Sequence, residues 1–253
     1  MKQPLTPEAI AGAIAASPKY RCIAPQAIDR IVREEYRKQP SDCEKRARNR
    51  LHLIADAFAS PQMQKNMEKA AAAGNWDAVL AEHASTRERL AILPEFTAML
   101  AEFLPAGARI VDCACGLLPI LTGKLGYRVT GLDIQMTCVD MINRCAVATG
   151  AKIAASGCDL IDADTLPEGD ITFLLKLLPV LDAQKSGAGM ALLTKTRSPL
   201  VLVSYPTRTL GGRSVGMEQN YSLRFEEALP DAFTIRMRRA LSGELFYLLE
   251  RKG

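Results

Sequence analysis

Through residues 1–90, apolar positions recur at the three- and four-residue spacing of a helix face, at Ile28, Ile31 and Val32 and again at Leu51, Ile54, Ala55 and Phe58. No alternating stretch interrupts them. Thr6-Pro7-Glu8 reads as a helix start, and breaks at Ser17-Pro18, Gln39-Pro40-Ser41, Ser60-Pro61 and Gly74-Asn75 divide the region into several short helices. From Arg109 the texture changes. β-rich apolar runs at 109–113, 127–132, 152–155, 171–175 and 200–204 are separated by helix-length segments, which predicts right-handed crossovers and a parallel sheet. Two further runs, 233–238 and 245–250, are joined by too few residues for a helix and predict an antiparallel hairpin at one edge. The expected organisation is a helical domain over residues 1–90 and an α/β domain over residues 91–253.

The first strand runs into Ile110-Val-Asp-Cys-Ala-Cys-Gly116, and Asp133 closes the second, seventeen positions after Gly116. Small residues after a strand let backbone approach a ligand, and an acidic residue at the tip of the next strand can accept hydrogen bonds from both ribose hydroxyls. A dinucleotide turn would need three glycines to seat a pyrophosphate on a helix N-terminus. Here Gly116 stands alone and Pro119 follows. The degenerate form suits a nucleoside cofactor without phosphates, of which S-adenosylmethionine (SAM) is the common example. The third strand leads into a second acidic tip, Gly157-Cys-Asp-Leu160, where adenine recognition falls in SAM-dependent methyltransferase sheets. An open α/β sheet ending in a hairpin resembles that Rossmann-like fold, with seven strands.

Composition narrows the classes. Apolar residues make up 48% and charged residues 24% of the 253, as in globular proteins, and no apolar run approaches the roughly 18 residues of a membrane span. The N-terminal stretch lacks a signal peptide's apolar core, and seven cysteines without a regular framework fit reduced thiols, so a cytoplasmic location is expected. Cys113 and Cys115 have no second Cys/His pair at zinc spacing and read as small buried residues, so no metal is expected. Residues 1–93 hold 15 Lys/Arg against 11 Asp/Glu, while residues 94–253 hold 17 of each. The net charge of +4 therefore resides in the helical part, where Lys19 to Arg50 includes ten basic residues against five acidic ones. Such a stretch is either a face that meets phosphates or a solvated helix face laced with ion pairs.

Four longer motifs identify a family. They are His83-Ala-Ser-Thr-Arg-Glu-Arg-Leu90, Val111-Asp-Cys-Ala-Cys-Gly-Leu-Leu-Pro119, Leu174-Leu-Lys-Leu-Leu-Pro179 and Ser204-Tyr-Pro-Thr-Arg-Thr-Leu-Gly-Gly-Arg-Ser-Val-Gly-Met-Glu-Gln-Asn-Tyr221. They resemble the aminoglycoside-resistance 16S rRNA (guanine(1405)-N7)-methyltransferases, from about Lys19 to the C-terminus. The resemblance implies methyl transfer from SAM, leaving S-adenosylhomocysteine, to N7 of a decoding-site guanine of 16S rRNA in the assembled 30S subunit. Resistance to kanamycin- and gentamicin-type drugs would follow. Carried over by position, it implies a cofactor pocket of Phe58, His83, Ala84, Ser85, Arg89 (for the methionine carboxylate), Ala114, Asp133 (ribose), Asp159 and Leu160 (adenine), Leu175 and Gln184. It further implies rRNA contacts through the basic helices, at Lys19, Arg48 and Arg50. Arg208 and Arg213, in a loop with glycines 211, 212 and 216, are placed for the target's phosphates. Action as a monomer is expected, with neither membrane nor DNA as partner.

Taken residue by residue, bland readings stand beside these. Arg89 could be a surface charge paired with Glu82 or Glu88, His83 a helix-start histidine, and Asp133 a helix cap. No general base is nominated, because guanine N7 carries an in-plane lone pair and no proton. Two other functions remain open: a SAM-dependent methyltransferase of another rRNA base such as adenine N1, and a non-catalytic ribosome-binding protein with a SAM-like fold.

Overall fold

The structure, a computed structural model, describes residues 5–58, 61–207, 217–241 and 243–252. Seven helices come first: α1 (Pro7–Ala15), α2 (Pro25–Lys38), α3 (Cys43–Phe58), α4 (Pro61–Ala72), α5 (Trp76–Glu82), α6 (Ala84–Leu90) and α7 (Leu93–Ala101), with 3₁₀ turns at Pro18–Tyr20 and Pro40–Asp42. The breaks fall where the sequence sets them. Pro18, Pro40 and Pro61 each open an element, where a missing N–H costs nothing. The Thr6 hydroxyl accepts from the Ala9 N–H at 3.3 Å to cap α1, and Asn75 Oδ1 accepts from the Ala78 N–H at 3.0 Å to cap α5.

The sheet follows as β1 (Arg109–Cys113), α8 (Leu118–Lys124), β2 (Arg128–Asp133), α9 (Met136–Thr149), β3 (Ile153–Gly157), β4 (Ile171–Leu175), α10 (Leu178–Gln184), α11 (Ala188–Lys195), β5 (Leu200–Pro206), α12 (Met217–Ala228), β6 (Phe233–Leu241) and β7 (Glu244–Arg251). The order across it is β3-β2-β1-β4-β5-β7-β6. The first five strands are parallel, and β7 pairs antiparallel with both β5 and β6. The expected hairpin therefore folds back so that its second strand joins the sheet and its first forms the edge. One expectation is corrected: the β3–β4 connection, residues 158–170, contains no helix. Four Asp, a Pro and a Gly in thirteen residues supply too many backbone-competing and helix-breaking groups. It crosses as a loop anchored by buried Leu160 and Leu166.

Each sheet face carries a core. Ile110, Phe173, Leu202 and Phe246 pack with Met67, Val79, Leu80, Phe96 and Ile142 on one side. On the other, Val111, Leu174, Val203 and Tyr247 meet Leu178, Leu192 and Phe225. A third cluster, with Ile10, Ile14, Ile28, Ile31, Ala47 and Leu51, lies within α1–α3. Main chain ties this cluster to the β2 end: Ala24 N–H donates to the Ile134 carbonyl at 2.7 Å, and Met136 N–H to that of Cys22 at 2.8 Å. Among the described residues no helix is long and apolar enough to cross a membrane.

Candidate functional site

The carboxyl ends of β1 and β2 are joined by one carboxylate. Asp133 is buried, and its Oδ2 accepts from the Gly116 N–H and its Oδ1 from the Gln135 N–H, both at 2.8 Å. Burial pushes this carboxyl above its ordinary value, and the backbone donors oppose the shift. Gly116 is needed twice over: its φ is +51°, and a Cβ there would stand 2.8 Å from His83 Cε1. The buried His83 ring thus packs against the loop, with Nδ1 2.9 Å from Ser85 Oγ. Burial, then the charges of Arg87 and Lys176, push it down to about 4, so it is neutral at neutral pH.

Ala114 and Lys176 both have φ +54°, the only left-handed non-glycines among the described residues. They follow directly on β1 and β4, adjacent strands, and each such residue costs about 1–3 kcal/mol that the surroundings must impose. Ala114 itself is exposed, at the open end of the sheet. The flanking cysteines are packing residues. Cys113 belongs to one core face and Cys115 to the other, and Gly131 has no side chain because a Cβ would stand 2.8 Å from Cys115 Sγ. Burial raises both thiols well above their ordinary value, which leaves them unreactive.

Arg89 is not the surface charge its local sequence allows. It is 4% exposed and stacks between Phe96 and Phe246, 4.5 and 5.2 Å from the ring centres. Its Nη2 donates to Glu244 Oε1 of β7 at 2.8 Å, an oxygen that also accepts from Ser204 Oγ. Its Nη1 has no partner. Neither have Thr86 Oγ1, one turn earlier on α6, Asp112 Oδ2 in β1 and Gln135 Oε1 just past β2. Buried polar atoms are rarely left unpaired. Four of them on the elements around the β1 and β2 ends mark a place built for a polar ligand. Asp112 is pushed well up by burial and by the Asp133 charge, with Arg89 opposing.

Beyond β3, Asp159 is buried; Oδ1 accepts from the Ile161 N–H at 3.1 Å and Oδ2 from Arg30 Nε at 2.5 Å. Gln184 Oε1 accepts from Arg30 Nη2 at 3.1 Å. Leu160 is buried, Leu175 and Ser85 are half-buried and Ala84 is exposed. His83, Ser85, Arg89, Ala114 and Asp133 therefore gather around the β1 and β2 ends, and Asp159, Leu160 and Gln184 around the β3 end. Sequence reasoning missed Arg30, Glu244 and Gln135. The Phe58 side chain, Arg208, Arg213 and glycines 211, 212 and 216 lie outside the described residues. A cavity of about 420 Å³ opens instead at the strands' amino ends, lined by Arg109, Arg128, Thr130, Lys152, Ala154 and Glu168. It is the exposed sheet face left by the helix-free crossover, away from every candidate residue, and the unpaired buried groups are the better guide to a site.

The basic helices are partly self-neutralised. Arg50 Nη1 donates to Glu34 at 2.8 Å and Glu35 at 2.9 Å, Arg48 pairs with Glu44 at 2.8 Å, and Lys19 Nζ lies 2.9 Å from His52 Nδ1. Glu35 is buried, which would raise its carboxyl, but Lys38, Arg46 and Arg50 donate to it and hold it down at about 2. Arg37 on α2 and Lys45 on α3 are exposed, as is Arg21 in the turn before α2.

Comparison of the whole chain with known proteins shows the family. Residues 16–248 match the family model described as ribosomal RNA methyltransferase (FmrO). A 16S rRNA (guanine(1405)-N(7))-methyltransferase of Serratia marcescens is 37% identical over 246 residues, covering 95% of this chain and 96% of that one. Among solved structures, the 16S rRNA methyltransferase RmtF, in complex with S-adenosyl-L-homocysteine, is 41% identical with a TM-score of 0.87 and covers both chains fully. The 16S rRNA methylase RmtB is 32% identical with a TM-score of 0.87, over 99% of this chain and 100% of its own. With a family-model match over residues 16–248 and a relative 37% identical over 95% of this chain, the protein belongs to the FmrO family of ribosomal RNA methyltransferases.

Proposed function

We propose that the protein transfers a methyl group from SAM to N7 of a decoding-site guanine of 16S rRNA in the 30S subunit, and so confers resistance to kanamycin- and gentamicin-type aminoglycosides. The observation that carries this reading is the similarity, over 95% of the chain, to an enzyme named for that reaction. Bound SAM supplies a methyl carbon activated by its sulfonium sulfur. The residues fit an adenosine with an amino-acid tail. Arg89 offers Nη1 to the carboxylate, Asp133 offers its remaining lone pairs to the ribose hydroxyls, and Asp159 with Leu160 and Gln184 holds the adenine. Phe58, Ala84, Ala114 and Leu175 complete the walls, while His83 and Ser85 fix the β1 loop that carries Gly116.

Guanine N7 needs no base to accept a methyl group, so the protein's contribution is alignment of N7 with the methyl carbon and sulfur, the proximity effect. N7 lies in the A-form major groove, too narrow for side chains, and the guanine must be exposed by flipping or local distortion. Residues 1–90 then dock on rRNA phosphates through Lys19, Arg48 and Arg50, which position without reading sequence. Arg208 and Arg213 meet the target's own phosphates, residues 91–253 hold the cofactor, and the enzyme acts as a monomer in the cytoplasm. Methylation removes an acceptor and leaves a positive charge that repels a cationic drug. Cells expressing the gene are expected to survive gentamicin while remaining sensitive to apramycin, as read by minimum inhibitory concentrations. Unchanged gentamicin susceptibility, or equal protection against both drugs, would contradict the assignment.

A further inference from the structure

Arg30 is a buried cation that points out of its own unit. It sits on α2, is 4% exposed, and its closest contact is with Asp159, 129 residues away, at 2.5 Å. The other two nitrogens donate to Gln184 Oε1 at 3.1 Å and Glu34 Oε1 at 3.2 Å. One guanidinium thus fixes both polar side chains assigned above to the adenine end of the cofactor pocket. A buried ion pair is a poor device for stability alone, because desolvating both charges offsets most of their attraction. It is a good device for orientation, since a planar fork locks its acceptors in direction. Arg30 and the Ile161 N–H each occupy one lone pair on opposite oxygens of Asp159, leaving the rest directed away from both donors.

We infer that Arg30 is a positioning residue for adenine recognition: the N-terminal helical unit completes the cofactor pocket by aiming Asp159 and Gln184 at the adenine edge. This rests on the reading of Asp159 as the acceptor of the adenine N6 amine. The same cation is held from behind by Glu34, which also binds Arg50 at 2.8 Å, so one chain of ion pairs runs from the adenine carboxylate into the basic helices. The 350 Å³ cavity between Glu34, Arg50, Ile54 and Gln184 lies along that chain.

The test uses two ligands that differ along one edge of the base. In S-inosylhomocysteine a C6 carbonyl replaces the N6 amine of S-adenosylhomocysteine, turning a donor toward Asp159 into an acceptor, and the neighbouring N1 changes from an acceptor to an N–H donor. Calorimetry on the full chain should find the inosyl ligand bound at least about tenfold more weakly, the scale of one hydrogen bond to a charged group. In Arg30→Met that ratio should fall to about threefold or less. Arg30→Lys keeps the charge but cannot fork to Asp159 and Gln184 together; it should show an intermediate ratio, and it answers the question if the Met variant does not fold. A wild-type ratio in either folded variant would reduce Arg30 to a strut between units and overturn the inference. Asp159→Asn separates the underlying reading: a narrowed or reversed ratio upholds Asp159 as the adenine acceptor, whereas an unchanged one removes that reading and the role of Arg30 with it.

Discussion

Arg89→Met is expected to lose both stability and cofactor affinity, and the two losses should come apart in the double variant Arg89→Met, Glu244→Gln. The side chains of this pair are 5% and 7% exposed. Removing the guanidinium leaves Glu244 buried with only Ser204 to face it, and an uncompensated charge of this kind costs about 3–5 kcal/mol. For a chain of this length that corresponds to a fall in Tm on the order of 10 °C. Neutralising Glu244 as well should restore most of the stability, since a buried pair replaced by uncharged groups of similar volume is often neutral. Affinity for S-adenosylhomocysteine should not return. The unpaired Nη1 is a charged donor, and its loss is expected to weaken binding about tenfold to a hundredfold. If the double variant regains both, Arg89 acts only by packing between Phe96 and Phe246.

The second large effect is acid sensitivity through His83. Its ordinary value of 6.5 is lowered to about 4 in the fold, first by burial and then by Arg87 and Lys176. Between those values the unfolded chain binds a proton that the folded one does not. The stability contributed is therefore complete above pH 6.5 and is lost as the pH falls toward 4, a total of roughly 3 kcal/mol at 1.36 kcal/mol per unit. Asp112 acts in the opposite sense. Its carboxyl is raised, so its contribution is present at low pH and disappears as the pH rises through its folded value. Glu35, held near 2, loses its contribution only between 4.5 and 2. Denaturant unfolding of the wild type and of His83→Asn, whose amide can still meet Ser85, isolates the histidine as the difference of two pH curves. That difference should grow steadily from pH 6.5 to 5, and parallel curves would show that the ring is not held in its neutral form.

Most of the fold was legible because it is written in local signals. Prolines 18, 40 and 61 each begin an element, and all seven strands lie within a few residues of the apolar runs. The insertion of β7 between β5 and β6 was not legible, since order in a sheet is a tertiary property. The missing helix between β3 and β4 was misread from length alone, although its Asp, Pro and Gly content was the signal that opposed it. The site divides the same way. Asp133 is readable because it ends a strand at a fixed distance from Gly116. Arg89 was readable as a charge but not by its partner: Glu82 and Glu88 are near in sequence, yet Glu244, 155 residues away, takes it. Arg30 hid among ten basic residues for the same reason. Arg48 and Arg50 are each ion-paired and half-buried, as the reading of their stretch as a helix face laced with ion pairs describes. The cysteines on either side of Ala114 lie on opposite faces because β1 ends at Cys113 and the left-handed Ala114 breaks the strand's alternation, with Gly131 making room for the second thiol.

The most direct measurement incubates purified protein with tritium-labelled SAM and either 30S subunits or naked 16S rRNA, and maps the labelled nucleotide. The account predicts label on 30S subunits, at N7 of a single decoding-site guanine, with little on free rRNA. Label on an adenine, preference for naked rRNA, or no transfer to either substrate would contradict it.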